Sequence, residues 1–158
     1  MTQRLELNTF KTVVASTPLV SIDLIVCNSN NQALLGLRNN RPAQGYWFVP
    51  GGRICKDETF DDAFHRLTHA ELGFPYNIHE ANFIGYYQHL YPDNFSEEHF
   101  STHYVVLGFL IKQDVDLNIL PLEQHNNYKW WDINELLASS EVHDNTKAYF
   151  LSHHFNSR

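Results

Sequence analysis

The sequence is poor in the features that mark secreted, membrane-bound or nucleic-acid-binding proteins. It has two cysteines, Cys27 and Cys55, which fit neither a disulfide scaffold nor a zinc motif. Basic residues are scarce, 11 Lys and Arg against 18 Asp and Glu, for a net charge of -7. That balance opposes extended contact with a nucleic-acid backbone, which needs a basic stripe to release counterions. A few clustered arginines can still serve one phosphate group. No long apolar run is present: the most apolar stretch, Leu19 to Val26, is broken by Ser21 and Asp23 and is too short to span a bilayer. Met1 to Val14 carries Arg4, Glu6 and Lys11 without an unbroken apolar core, so it does not read as a signal peptide. Internal repeats, low-complexity tracts and linker-like stretches are also lacking. A cytoplasmic enzyme or binding domain is expected, with neither a membrane nor nucleic acid as partner.

What is present suits one globular domain, residues 1–158, around one core: 43% of the chain is hydrophobic and 14% aromatic. The high aromatic share leaves rings to stack on a planar ligand. Pro18 to Cys27 reads as a strand, Asn28 to Asn31 as a turn, and Gln32 to Leu37 as the returning strand of a hairpin. Asn39 to Gly45 reads as loop and Tyr46 to Val49 as a short strand ending at Pro50-Gly51-Gly52. Thr59 can cap a helix whose apolar stripe is Phe60, Ala63, Phe64 and Leu67 and which Gly73 stops. Phe83 to His89 and Thr102 to Ile111 read as strands split by the polar loop Pro92 to Ser101, and Tyr128 to Trp131 as a last one. Helices are expected near Ile133 to Ser139 and Asn145 to Phe155. The sum is an α/β domain, a mixed sheet sandwiched between helices.

One carboxylate is out of place. Glu71 lies four residues from Leu67, seven from Phe64 and eleven from Phe60, in line with the apolar stripe. A buried carboxylate is costly unless a cation or several donors satisfy it. The plain alternative is that Glu71 emerges from the end of the stripe in the last turn.

The surroundings of Glu71 bear on that choice. Gly52, five residues, Glu58, seven residues, Arg66, then Glu71, Leu72, Gly73 and Phe74 resemble the Nudix box. In that family the box is a strand-loop-helix that binds the metal of a nucleoside diphosphate linked to another group. The departures are informative: Leu67 and Ala70 stand where the box has glutamates, and Thr68 where it has an aliphatic residue. Ordinary Nudix pyrophosphohydrolases use those carboxylates to hold further divalent ions and attack phosphorus, so a multi-metal site is in doubt here.

The GDP-mannose mannosyl hydrolase branch of the family resembles the chain over nearly its full length. The matching segments are STPLVSIDLIV, NNRPAQGYWFVPGGR, STHYVVLGF, LPLEQHNNYKWW and VHDNTKAYFL. The resemblance implies that water attacks the sugar's C1 with inversion, releasing GDP and mannose, or glucose as the alternative sugar. It implies one Mg2+ per subunit, or Mn2+, on the Gly51 carbonyl, the Glu71 carboxylate and the Gln124 side chain. His125 is then the base, an imidazole that titrates near neutrality. Arg38 and Arg53 point at the diphosphate, as forked guanidinium groups that stabilise the departing oxygens. Asp23 and His89 contact sugar hydroxyls, and Tyr104 donates to phosphate. The N-terminal arm, residues 1–17, resembles the guanine-binding region, with Phe10 as the stacking ring supported by Arg4 and Leu5, and it contributes to a homodimer.

Each residue also has a plainer reading. The two arginines can be surface charges, Asp23 and His89 a satisfied strand-edge pair, Tyr104 and Phe10 core rings, and His125 one of ten solvated histidines. His65 and His69, four apart on one helix, lack a third ligand for a zinc signature and read as exposed. Trp130 and Trp131 read as core and interface. Two other functions stay open: a pyrophosphohydrolase yielding GMP and sugar phosphate, and a non-catalytic nucleotide-sugar sensor.

Overall fold

Leu19–Cys27 lies at the centre of the sheet because it is apolar on both faces, the pattern of a strand covered above and below. A computed structural model provides the fold and describes residues 4–120, 125–152 and 155, with residues 125 and 126 described by backbone alone. In chain order the elements are α1 (Leu7–Ser16), β1 (Leu19–Cys27), β2 (Gln32–Arg38), β3 (Trp47–Phe48), β4 (Gly51–Arg53) and α2 (Phe60–Leu72). Then follow β5 (Asn82–Tyr91), β6 (Thr102–Lys112), β7 (His125–Asp132), α3 (Ile133–Ala138) and α4 (Asp144–Phe150).

The described strands form one mixed sheet. β1 runs parallel to β6 along its whole length, and β5 pairs antiparallel outside β6. The other edge of β1 is shared. Its early part, Ser21 to Asp23, pairs with β4, and Cys27 pairs with β2 as the hairpin expected from the sequence. β3 and β7 then pair with β2. Side chains alternate across β1: Ile22, Leu24 and Val26 pack beneath α2 with Ala63, Phe64, Leu67 and Leu72. Ile25 and Cys27 face the opposite core, which α3 and α4 close with Leu136, Tyr149 and Phe150. Trp130 and Trp131, adjacent on β7, serve these two cores in turn. The helix-sheet-helix arrangement matches the expected fold class.

α2 begins and ends as the sequence indicates. The Thr59 hydroxyl accepts the Asp62 amide at 3.1 Å, and Gly73 caps the end at φ 78°. A left-handed residue at this cap is cheap only without a Cβ.

Four local expectations are corrected. Phe60 is 60% exposed, because the first turn of α2 overhangs the sheet, and the buried stripe runs instead through Ala63, Phe64, Leu67, Thr68, Glu71 and Leu72. The N-terminal arm contains a helix, α1, whose first turn is capped by the Glu6 carboxylate accepting the Asn8 and Thr9 amides. Pro50-Gly51-Gly52 does not end a strand but leads into β4. Finally, β7 starts three residues earlier than expected, at His125, and α4 stops at Phe150 rather than Phe155.

Candidate active site

The site is built around a double glycine, and both glycines are needed for space. A Cβ on Gly51 would stand 2.5 Å from the Asp23 carboxylate and from the Ile22 carbonyl oxygen; one on Gly52 would stand 2.5 Å from Leu67 Cδ2. β4 can therefore press against β1 on one side and α2 on the other. Glu71, reaching back from the last turn of α2, accepts the Gly51 amide at 3.1 Å and is only 4% exposed. The plain reading of Glu71 as an emerging surface residue is thus overturned. Its carboxylate is buried beside the glycine turn, close enough to Asp23 to raise the latter's affinity for protons.

The remaining box residues hold this turn in place. Arg66 grips Glu58 with two hydrogen bonds, Nε to Oε2 at 2.7 Å and Nη2 to Oε1 at 3.0 Å, and also donates to the Arg53 carbonyl at 2.8 Å. Glu58 in turn accepts the Cys55 amide at 3.0 Å. The paired guanidinium holds the Glu58 carboxyl below its ordinary range. Thr68, at an aliphatic position of the box, is fully buried. Its hydroxyl donates to the Phe64 carbonyl and accepts the Tyr76 amide, both at 2.8 Å, so it ties the chain leaving α2 back to the helix.

Most of the residues singled out in the sequence meet in one cavity of about 220 Å³: Phe10, Asp23, Arg38, Gly51, Arg53, His89 and Tyr104 all line it. It opens alongside a larger cavity of about 810 Å³ that shares Phe10, Arg38, Arg53 and Tyr104 and adds Arg4, Leu5, Arg41, Arg66 and Phe95. Five of the chain's six arginines border this second cavity, in a protein of net charge -7. Such a concentration of guanidinium groups suits a polyanionic ligand. Arg66 and Arg41 are engaged, the latter with the Ser96 carbonyl and Glu97. Arg38 donates through Nε to the Pro42 carbonyl at 2.9 Å, and Arg53 lies over the Phe10 ring at 5.2 Å. Among the described residues, neither has a carboxylate partner. Phe10 itself rests on Phe95 at 5.0 Å, so its first role is to seat Arg53 and to join α1 to the 92–101 loop. Lys11 and Glu98 reinforce that junction at 2.8 Å.

Asp23 and His89, from β1 and β5, are both buried and are linked through a residue that sequence reasoning missed. The Tyr149 hydroxyl donates to Asp23 Oδ2 and lies 3.3 Å from His89 Nε2. Burial raises the Asp23 carboxyl to about 7, against the opposing pull of the Tyr149 hydrogen bond and Arg38. Burial lowers His89 to about 4, helped by nearby His143, so the imidazole is neutral at physiological pH. His143, also missed, caps α4 by accepting the Asn145 amide at 3.0 Å, and packs among Tyr46, Phe48 and Tyr91. A buried tyrosine or histidine in a C-terminal helix has no local pattern that separates it from core.

Gln124 lies outside the described residues. His125 is described by backbone alone, which pairs opposite Arg38 at the start of β7. His65 and His69 are exposed on the outer face of α2, as expected. Among the described residues no three His, Cys, Asp or Glu side chains form a metal cluster. The groups at the glycine turn are instead hard oxygen donors, the Glu71 and Asp23 carboxylates beside backbone carbonyls. That chemistry fits Mg2+ or Mn2+ and does not fit a soft metal.

Comparison with known proteins decides the family. The NUDIX domain family model matches residues 17–153. The chain belongs to the Nudix family. A relative in Haloferax volcanii, named low-salt glycan biosynthesis protein Agl8, is 38% identical over 128 residues, covering 81% of this chain and 80% of its own. The Nudix fold recurs in the MutT protein of Methanosarcina mazei, with TM-score 0.65 and 20% identity, covering 85% of this chain and 92% of that one. It recurs also in the NUDIX domain of Shewanella oneidensis NrtR, a complex with ADP ribose, with TM-score 0.61 and 18% identity over 84% of both chains. At those identities the two structures speak for the fold alone. Nudix hydrolases generally use divalent metal ions, in keeping with the oxygen donors of this Nudix domain. None of its described helices is long and apolar enough to cross a membrane.

Proposed function

We propose that this Nudix domain hydrolyses a GDP-sugar, GDP-mannose foremost, to GDP and free sugar by attack of water on the sugar's C1. The observation that carries the reading is the pairing of two unlike cavities. The small one, with its buried carboxylate and imidazole, suits a sugar; the larger, bordered by five arginines, suits a nucleoside diphosphate. Arg38 and Arg53 line both, at the junction where the scissile bond would lie. The box positions that differ from a pyrophosphohydrolase agree with this: Leu67 is core and Ala70 is exposed, so neither supplies a metal ligand. The Haloferax relative's name, glycan biosynthesis, supports a substrate of the nucleotide-sugar class.

The ligands of the ion are the Gly51 carbonyl, Glu71 and Gln124. A bound Mg2+, with Mn2+ as substitute, neutralises the diphosphate so that GDP leaves without being protonated. His125 takes the proton as the water oxygen bonds to C1. The bond between C1 and the diphosphate oxygen breaks, its electron pair stays on GDP, and the configuration at C1 inverts. Arg38 and Arg53 meet the charge that grows on the departing oxygen, and Tyr104 donates to the same group. Asp23 and His89 hold the sugar hydroxyls, while Arg4, Leu5 and Phe10 border the nucleoside. The domain acts as a homodimer in the cytoplasm, an assembly that light scattering of the purified protein checks.

Hydrolysis in oxygen-18 water is the test. The expected product is labelled sugar beside unlabelled GDP. Label in GMP or in sugar phosphate instead assigns the attack to phosphorus and makes the protein a pyrophosphohydrolase. No hydrolysis of any GDP-sugar with Mg2+ makes it a sensor.

A further inference from the structure

Tyr149 is the one residue that touches both Asp23 and His89, and it comes from a helix, α4, that takes no other part in the proposed reaction. Its side chain is fully buried. The ring stands edge-on to Tyr87 at 4.5 Å and passes over β6 at Gly108, where an added Cβ would come within 3.4 Å of it. Gly108 pairs with Asp23 on one side and with Gly85 of β5 on the other. The absent side chain at this crossing lets one phenol span from β1 to β5.

The proton count at the hydroxyl has a definite consequence. A phenol carries one proton, and Tyr149 gives it to Asp23 Oδ2. Toward His89 Nε2, 3.3 Å away, the phenol oxygen can then only accept, so Nε2 carries the imidazole proton and Nδ1 keeps its lone pair. The same bond fixes the carboxylate of Asp23, whose Oδ1 lies against the glycine turn. The low proton affinity of His89, about 4, keeps the ring neutral, so its tautomer is a fixed property across the physiological range.

We propose that Tyr149 is a positioning residue that fixes the carboxylate rotamer of Asp23 and the Nε2–H tautomer of His89, and so sets the donors and acceptors the sugar pocket offers. The inference rests on the reading of the small cavity as a sugar site. It makes recognition of the sugar depend on a hydroxyl that never contacts it. A tyrosine that merely filled the core would leave the histidine tautomer and the sugar step unaffected by loss of its oxygen.

Two measurements test this. Nitrogen-15 NMR of the histidine rings in the wild-type protein between pH 6 and 8 should show His89 neutral with its proton on Nε2. In Tyr149→Phe, which keeps the ring, that pattern should give way to the other tautomer or a mixture. In the same variant kcat/KM for GDP-mannose should fall roughly tenfold to a hundredfold, the usual penalty for misplaced groups. GDP binding by calorimetry should stay within about twofold of wild type, because the arginine cavity is untouched. A wild-type His89 with its proton on Nδ1 overturns the proposal even if the variant does not fold. An unchanged His89 spectrum or unchanged kcat/KM in a folded variant overturns it as well. A wild-type protein that releases no sugar from any GDP-sugar overturns the functional reading instead, and the histidine spectra still decide the positioning claim.

Discussion

Replacing Glu71 with glutamine should separate its two jobs. The carboxylate accepts the Gly51 amide at 3.1 Å and, in the proposed site, holds a divalent cation. Glutamine keeps an oxygen for the amide and removes the charge, so the metal-free variant should be no less stable than wild type. An uncharged amide is cheaper to bury beside Asp23 than a second carboxylate. The difference should emerge on adding Mg2+. A ligand at a hundred times its Kd stabilises the native state by about 2.7 kcal/mol. At roughly 2–4 °C per kcal/mol for a domain of this size, the wild-type midpoint should rise by about 5–11 °C. Glu71→Gln should show almost none of that rise. Glu71→Ala, which leaves the Gly51 amide without its acceptor, should also lose about 1–3 kcal/mol in the absence of metal. Thermal scans with EDTA and with saturating MgCl2 measure all three proteins. A Glu71→Gln midpoint that climbs with Mg2+ as far as the wild type would refute the reasoning, because the ion would then be held elsewhere.

Three other outcomes are expected. His125→Gln should lower turnover by ~10²–10⁴ while the Mg2+-induced thermal shift persists, and a normal rate would remove His125 as the base. Thr68→Val, nearly isosteric, strands the Tyr76 amide and should lower stability in urea by about 1–3 kcal/mol, whereas an unchanged midpoint would mean that water replaces the hydroxyl. His89, lowered to about 4 from an ordinary 6.5, contributes stability that is whole above pH 6.5 and is lost as pH falls toward 4. Asp23, raised to about 7, acts with the opposite sign and stabilises the fold as pH falls from that value. In EDTA, His89→Asn should therefore flatten the acid destabilisation between pH 6.5 and 4 by up to about 3 kcal/mol; a variant with the wild-type slope would show that the imidazole titrates normally.

Legibility in the sequence followed the range of the signal. β1, β2, α2, β5 and β6 were readable because each carries several periods of its own pattern, with caps or turns at the ends. α1 was not, since Thr9, Thr12, Val13 and Val14 are weak helix formers. It is held by the Glu6 cap and by the docking of Phe10 and Lys11 onto the 92–101 loop. β4 spans three residues, two of them glycine, and has no period to read. The same rule holds in the site. Glu71 stood out because it breaks a stripe within its own helix. Tyr149 did not, because its partner Asp23 is 126 residues away and an aromatic residue on an amphipathic helix ordinarily means core.

The Glu58–Arg66 clasp bears on how this scaffold can change its chemistry. Glu58 and Arg66 satisfy one another and the backbone of the loop between them, so the shape of the glycine turn owes nothing to the side chains at 67 and 70 as charges. Leucine at 67 even adds to the core packed against Gly52. Mechanical support and ligand supply are thus carried by different letters of one motif. A mutation can strip a carboxylate from the box, alter what the pocket binds or which bond it breaks, and leave the strand-loop-helix standing. The spacing from Gly52 to Gly73 therefore reports ancestry and architecture faithfully, while the reaction is written in the residues that fill it.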